Sequence, residues 1–480
     1  MSQSLYEATW ESLQNYRVPG WFENAKLGVF IHWGVYCVPA FDNEWYSRNM
    51  YQKGSRAYEH HRATYGDQTV FGYKDFIPKL TGSRFDAGEW IRLFKQAGAR
   101  YVVPVAQHHD GFAMYPTAYS TWNAFNMGPK RDVIGELQRE AAVQGLTFGV
   151  SNHHAENWWF FDGGREFASD VQDPNNRGLY GVAAPSPSAH GFESPEWNSK
   201  DWTPRPTREF LNDWYARCIE LVERYQPRVF YFDWWIQQEV FEPYRRKFAA
   251  EYYNRVGSDA VLTYKHDSYP AGTAVFDIER GKLADIRVPH WQTDTSLGYK
   301  SWCHIEDEEY RTPESLIHLL ADIVSKNGNL LINVGPKADG TLPDESAGLL
   351  RELGAWLAVN GAAIYDTQHW ERFGEGDTPQ VEGYMSERGD KPFTATDIRF
   401  TVRGDALYAI CLGWPGEETV IRSLKRGSAL TGERLEKIEM LGAPGTLAWS
   451  QDEQGLHIRT PDARPPCEHA YVYKLTLKRP

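Results

Sequence analysis

Arg228-Val229-Phe230-Tyr231-Phe232-Asp233-Trp234-Trp235 is a short β-branched and aromatic run that ends on one carboxylate set among rings. Such a run fits a strand buried on both faces, as in a parallel sheet covered by helices. An unpaired ionised carboxylate in its interior would cost several kcal/mol. At the strand's carboxyl end, opening on a cleft, the same group becomes affordable and useful. Read alone, Asp233 fits equally well as a cap for the next helix.

The surrounding chain repeats the arrangement. Leu27 to Gly34 reads as a strand ending in His32 and Trp33. Tyr101 to Val105 is a strand running into His108-His109-Asp110, and Leu146 to Val150 one running into His153-His154. Ala260 to Lys265, His290 to Thr293 and Asn329 to Gly335 complete the series. Helices intervene. Asp86 and Asp132 cap two of them, Gly98 and Gly145 close them, and Thr207 to Tyr225 and the stretch opened by Thr312-Pro313 supply two more. A further helix is expected from Tyr6 to Pro19, and a long Pro-, Ser- and Gly-rich excursion from about Asp162 to Pro206. Strand, polar strand end, helix, strand is the pattern of a (β/α) barrel of the TIM type. It brings His32, His108, His109, His153, Asp233 and Lys265 to one rim. Beyond about Asp366 the texture changes to short alternating runs broken by Gly and Asp, which read as an antiparallel β-sandwich. The expected division is residues 1–366 as the catalytic barrel and 367–480 as the sandwich.

Bulk composition narrows the classes. The 480 residues carry 51 Lys and Arg against 64 Asp and Glu, a formal net charge of −13 with no long like-charge block. That argues against nucleic acid or an anionic membrane surface as a partner. Nineteen Trp, 27 Tyr and 23 Phe suit the apolar faces and hydroxyl rims of sugars. The five scattered cysteines form no CxxC pair, and no long apolar span or leader-like segment is visible, so a cytoplasmic enzyme is the simplest expectation. Adjacent strand residues point to opposite faces, so His108-His109 and His153-His154 are poorly placed to chelate one ion. Neither a metal nor a cofactor is expected. The carboxylate that partners Asp233 is left open among Glu44, Glu156, Asp277, Glu279 and Asp294, with Asp277 and Glu279 read on a loop after the Lys265 strand.

Several stretches then resemble the retaining α-L-fucosidase family of glycoside hydrolases. They are Ala25-Lys26-Leu27-Gly28-Val29-Phe30-Ile31-His32-Trp33-Gly34-Val35-Tyr36, Glu44-Trp45-Tyr46, His108-His109-Asp110-Gly111-Phe112 and Gly128-Pro129-Lys130-Arg131-Asp132. Trp302 in its Ser-Trp context, Asn329 to Pro336 and Asn360-Gly361-Ala362-Ala363-Ile364-Tyr365 complete them. The resemblance implies Asp233 as nucleophile and Glu279 as acid/base. It implies His32, Glu44, Trp45, His108 and His109 as residues holding fucose hydroxyls, with Lys265 near the ring oxygen and Trp302 beside the C6 methyl. His153 and Tyr231 at the same rim join the substrate-binding set. His153 stands where the family has a tyrosine-rich strand end, and Ser301-Trp302-Cys303-His304 departs from the family's Ser-Trp-Gly-Tyr. The expected substrates are fucosylated oligosaccharides or glycoconjugates, and a homo-oligomer is compatible with the sequence. The rivals are a glycosidase for a galactose-like sugar and a catalytically silent sugar-binding relative.

Overall fold

The computed structural model describes residues 6–187, 202–389, 391–428 and 434–478. Eight parallel strands close into a barrel in sequence order. They are β1 (Leu27–Ile31), β2 (Tyr101–Gln107), β3 (Thr147–Asn152), β4 (Val229–Phe232), β5 (Val261–Tyr264), β6 (Val275–Glu279), β7 (Trp291–Ser296) and β8 (Gly328–Val334). Nearly every strand residue is buried, as strands covered by helices outside and by side chains inside must be. Gly28 is required by that filling. A Cβ there would lie 2.4 Å from the Tyr101 ring, which occupies the barrel floor.

The outer helices form where their caps and apolar stripes specify them. Asp86 accepts from the Glu89 amide before helix Ala87–Gln96, whose Trp90, Ile91 and Phe94 are buried. Asp132 accepts from the Gly135 amide before Val133–Gln144, and Gly145 ends that helix at φ 80°. Thr207 caps Arg208–Tyr225, and Thr312 caps Pro313–Ser325. Among the described residues no helix is long and apolar enough to cross a membrane.

Three expectations need correction. The segment expected as one helix from Tyr6 to Pro19 holds only the turn Trp10–Leu13, with a second helix at Gly20–Ala25. Between them the chain carries Tyr16 onto the ring of Tyr253, 4.6 Å away and stacked, a tertiary contact that overrides the local periodicity. Asp277 to Glu279, read as a loop, belongs to strand β6, paired to β7 through Asp277↔Gln292 and Glu279↔Asp294. The expected excursion from 162 to 206 is a series of short helical turns up to residue 180. Residues 188–201 within it lie outside the described part.

No helix stands between β5 and β6 or between β6 and β7. That flank is covered instead from further along the chain. After the barrel and helix Asp344–Asn360 come β9 (Gln368–Glu375), β10 (Ile398–Arg403), β11 (Ala406–Cys411), β12 (Glu418–Ile421), β13 (Leu435–Met440), β14 (Trp449–Gln451), β15 (Leu456–Arg459) and β16 (Tyr471–Leu477). They form a five-stranded antiparallel sheet, β13-β16-β11-β10-β9, and a three-stranded one, β12-β15-β14. The segment between β9 and β10 leaves the sandwich and lies along β6. The Gly383 amide donates to the Lys282 carbonyl at 3.0 Å, Met385 to Glu279 at 2.9 Å and Glu387 to Arg280 at 3.1 Å. Glu387 also pairs with the buried Arg280 and Arg311. Buried Asp322, on helix Pro313–Ser325, accepts from Lys326 and from Arg399 of β10, fastening the sandwich to the barrel.

Candidate active site

At the carboxyl ends of the strands a cavity of about 370 Å³ opens, in the range of small-molecule sites. Phe30 and Tyr231 meet at its base, with ring centroids 4.8 Å apart. Of the residues expected in the site, His32, Glu44, Trp45, His108, His109, His153, Tyr231, Asp233, Glu279 and Trp302 line it. They come from the ends of β1, β2, β3, β4 and β6 and from the loops after β1 and β7. Residues far apart in sequence converge because parallel strands share one rim.

Lys265 does not line the cavity. It follows β5, is 1 % exposed, and its Nζ lies 2.8 Å from Asp294 Oδ1 and 3.2 Å from both Asp277 Oδ1 and Glu279 Oε2. One ammonium thus serves three carboxyl groups, two of which, Glu279 and Asp294, reach the cavity wall. Alternation along β6 puts Asp277 and Glu279 on the same, inward face, one layer apart. Asp277 is wholly buried, and its Oδ2 accepts from Gln292 Nε2 at 2.7 Å. Glu279, at the strand end, reaches the cavity wall.

Of the four carboxyl groups on the cavity wall, Asp233 and Glu279 are shifted in opposite directions. Burial pushes the Glu279 carboxyl up to about 8 against the pull of Lys265, with Asp294 and Asp233 adding to the rise. Burial acts on Asp233 in the same direction, but His153, then Lys265 and His109, outweigh it and hold its carboxyl well below the usual range. His153 Nδ1 is 3.0 Å from Asp233 Oδ2 and His109 Nε2 is 3.7 Å from it. Burial, and then the neighbouring rings, keep His32 and His108 well below the ordinary imidazole value, and bring His109 down to about 3. Neutral rings of this kind can each offer a donor and an acceptor to sugar hydroxyls.

A second tier of residues sets these groups in place. Asn333, within the Asn329 to Pro336 stretch, meets His32 Nδ1 at 2.7 Å through its Oδ1 and donates from Nδ2 to the Trp302 carbonyl at 2.6 Å. Glu44 Oε2 accepts from the Trp302 amide at 2.9 Å and from Ser301 Oγ at 3.2 Å. The Arg280 guanidinium lies 4.6 Å over the Trp302 ring. Glu156, raised well above the carboxylate range chiefly by burial, has its Oε1 3.1 Å from His109 Nδ1. Asp294, one of the candidate partner acids, also lines the cavity, as do Phe30, Asn43, Asn49, Trp234 and Met385, which sequence reasoning did not single out. Trp234 and Asn43 sit beside residues it did single out. Met385 comes from the segment between β9 and β10, where no local pattern marks it.

Histidines adjacent in sequence are poorly placed to share an ion, but histidines on neighbouring strands do come together. Ligand atoms of His32, His108 and His153, and of His109, His153 and Asp233, lie within 4.8 Å of one another. Both ring nitrogens of His153 are already engaged, Nε2 with Ser151 Oγ and Nδ1 with Asp233.

One ionised carboxylate and one protonated carboxyl on the walls of a single aromatic-lined cavity is the equipment of a glycoside hydrolase. Comparison with known proteins gives the family. The model of the α-L-fucosidase family matches residues 1–362 and that of the α-L-fucosidase C-terminal domain residues 390–476. Plasma α-L-fucosidase of Pongo abelii is 30 % identical, with 99 % of this chain and 94 % of that protein covered. For tissue α-L-fucosidase of Rattus norvegicus the figures are 30 %, 98 % and 92 %. The crystal structure of Thermotoga maritima α-fucosidase in complex with fucose superimposes with a TM-score of 0.75 at 29 % identity, covering 98 % of this chain and 100 % of that one. The chain belongs to the α-L-fucosidase family.

Proposed function

We propose that this α-L-fucosidase removes terminal α-L-fucosyl residues from oligosaccharides or glycoconjugates by double displacement. Asp233 attacks the anomeric carbon while Glu279 gives its proton to the departing glycosidic oxygen. Glu279, now ionised, takes a proton from water, which releases fucose from the Asp233 ester. The carrying observation is the pair itself: two carboxyls on one cavity, the nucleophile candidate held ionised beside His153 and the acid candidate held protonated on β6. His32, His108, His109, Glu44 and Trp45 are the groups assigned to the hydroxyls, and Trp302 to the C6 methyl. Lys265 is assigned to the field beneath the site, where it steadies Glu279 and Asp294, and not to direct sugar contact. Thermotoga maritima α-fucosidase in complexes with fucose and with a mechanism-based inhibitor supports the substrate class. All five cysteines are free, which suits a reducing compartment, and a cytoplasmic location is proposed on that ground.

The test is turnover of a nitrophenyl α-L-fucoside beside the matching α-L-galactoside, which adds one hydroxyl at C6, using enzyme dialysed against chelator. Rapid NMR should show α-L-fucose as the first product. Faster galactoside turnover, a β first product, or loss of activity restored by a divalent ion would each overturn the proposal.

The pH profile follows from Glu279. The acid must be protonated in the free enzyme, so kcat/KM should fall as pH rises through about 8. Replacing Glu279 should abolish that limb for substrates with activated leaving groups.

A further inference from the structure

One layer below Asp233 in the barrel, a buried serine completes a hydrogen-bonded chain that ends on its carboxylate. We propose that Ser151 is a positioning residue for the nucleophile: its hydroxyl donates to the Nε2 lone pair of His153, whose ring proton sits on Nδ1 and is donated to Asp233 Oδ2. This role rests on the reading of Asp233 as nucleophile.

The geometry is a continuous chain. Ser151 Oγ lies 2.5 Å from His153 Nε2, and His153 Nδ1 lies 3.0 Å from Asp233 Oδ2. The direction of each bond follows from the end that has no choice. An ionised carboxylate only accepts, so Nδ1 must carry hydrogen. In the neutral ring Nε2 is then a lone pair to which the hydroxyl donates, whereas a protonated ring would carry hydrogen on both nitrogens and donate to Ser151. Were the proton on Nε2 instead, the Nδ1 lone pair would face the carboxylate and repel it. Asp233 thus sets the tautomer, and Ser151 supports it by donating to the Nε2 lone pair that would otherwise be buried without a partner, in a chain built like the histidine–carboxylate pair of a serine protease. Here the polarity is reversed, with the hydroxyl buried and the carboxylate at the substrate.

The fold explains why this pair occurs together. Ser151 and His153 are two residues apart at the end of β3, so both point into the barrel, Ser151 one layer below. Ser151 pairs in register with Tyr231, two residues before Asp233 on β4, which sets the same spacing on both strands. Ser151 is wholly buried, in register with Val105 of β2 and Tyr231 of β4. The His153 ring is confined by His108 at 5.1 Å, His109 at 5.4 Å, His32 at 5.5 Å and Tyr231 at 6.0 Å, so a change of tautomer cannot be answered by moving the ring far. The charged or titratable groups facing Asp233 besides His153 are His109, Lys265, His32, His266, Tyr231, Glu156 and Glu279. His109 Nε2 lies 3.7 Å from the same carboxylate oxygen that His153 meets.

The test compares Ser151→Ala and Ser151→Thr with the wild type. In Ser151→Ala, kcat on an aryl fucoside should fall about tenfold with KM little changed. The acid limb of kcat/KM should move to higher pH, because a nucleophile that has lost its fixed donor ionises less readily. Ser151→Thr, which keeps the hydroxyl, should restore both. Imidazole ¹⁵N spectra of the wild type should show the His153 proton on Nδ1 alone and an Nε2 resonance shifted by an accepted hydrogen bond, a shift lost in Ser151→Ala and kept in Ser151→Thr. An unmoved acid limb, or a wild-type His153 with a proton on Nε2, would overturn the proposal. Asp233→Gly run in parallel separates the failures. An active Asp233 variant removes the nucleophile assignment, whereas a dead one beside an unaffected Ser151→Ala removes only the role of Ser151.

Discussion

Asp233→Gly should lose hydrolysis of a nitrophenyl fucoside by roughly 10⁴-fold or more, since without the nucleophile no covalent intermediate forms. The fold should survive: Asp233 follows β4 at the cavity edge, and its removal leaves His153 with Ser151 and His109 with the His153 carbonyl. The space left by the carboxylate admits a small anion. Azide should restore a measurable fraction of turnover by attacking the anomeric carbon from the same side. One displacement inverts the centre, so the product should be β-L-fucosyl azide, recognisable by its anomeric proton coupling. Hydrolysis undiminished in the variant, or an azide product of α configuration, would take Asp233 out of the role of nucleophile.

Glu279→Ala should behave differently because protonation matters only for poor leaving groups. On a natural fucosyl disaccharide the loss should reach about 10²- to 10⁴-fold. A dinitrophenyl fucoside departs without a proton, so it should still show a fast burst of phenolate and then stall with the sugar held on Asp233. Azide should release it as the α product, the outcome of two displacements. Asp277→Ala is the control, because two residues along the same strand stands a second carboxyl near Lys265. Asp277 is walled in by Gln292 and has no face on the cavity. It should therefore cost activity equally on both substrates. A burst-and-stall signature from Asp277→Ala and not from Glu279→Ala would move the acid/base role.

What the sequence discloses depends on how far each signal reaches. Strands ending in histidine or aspartate, separated by capped amphipathic helices, declare themselves locally, and the rim residues His32, His108, His109, His153 and Asp233 are legible for that reason. β6 is not, because Asp277 and Glu279 interrupt its apolar pattern and no helix brackets it on either side. The place of Lys265 below the cavity is equally hidden. Its surroundings are Asp277, Glu279 and Asp294 on two other strands, and a strand end by itself does not say whether a side chain points up to solvent or across the barrel. Asn333 stands inside a recognisable stretch, yet its work of tying His32 to Trp302 exists only once β1 and β8 lie side by side. Met385 has no local signal at all.

The segment from β9 to β10 changes where inheritance can act on this enzyme. Met385 helps line the cavity, its amide holds the carbonyl of Glu279, and Glu387 closes on Arg280, whose guanidinium covers Trp302. A sandwich tethered this way is not an appendage that can drift freely in sequence or be exchanged for another module. Small insertions near Gly383 would shift the strand that carries Glu279 and the part of the cavity wall that Met385 forms together. Selection on the shape of the cavity therefore has a handle outside the barrel strands, in a stretch that a survey of barrel residues alone would pass over.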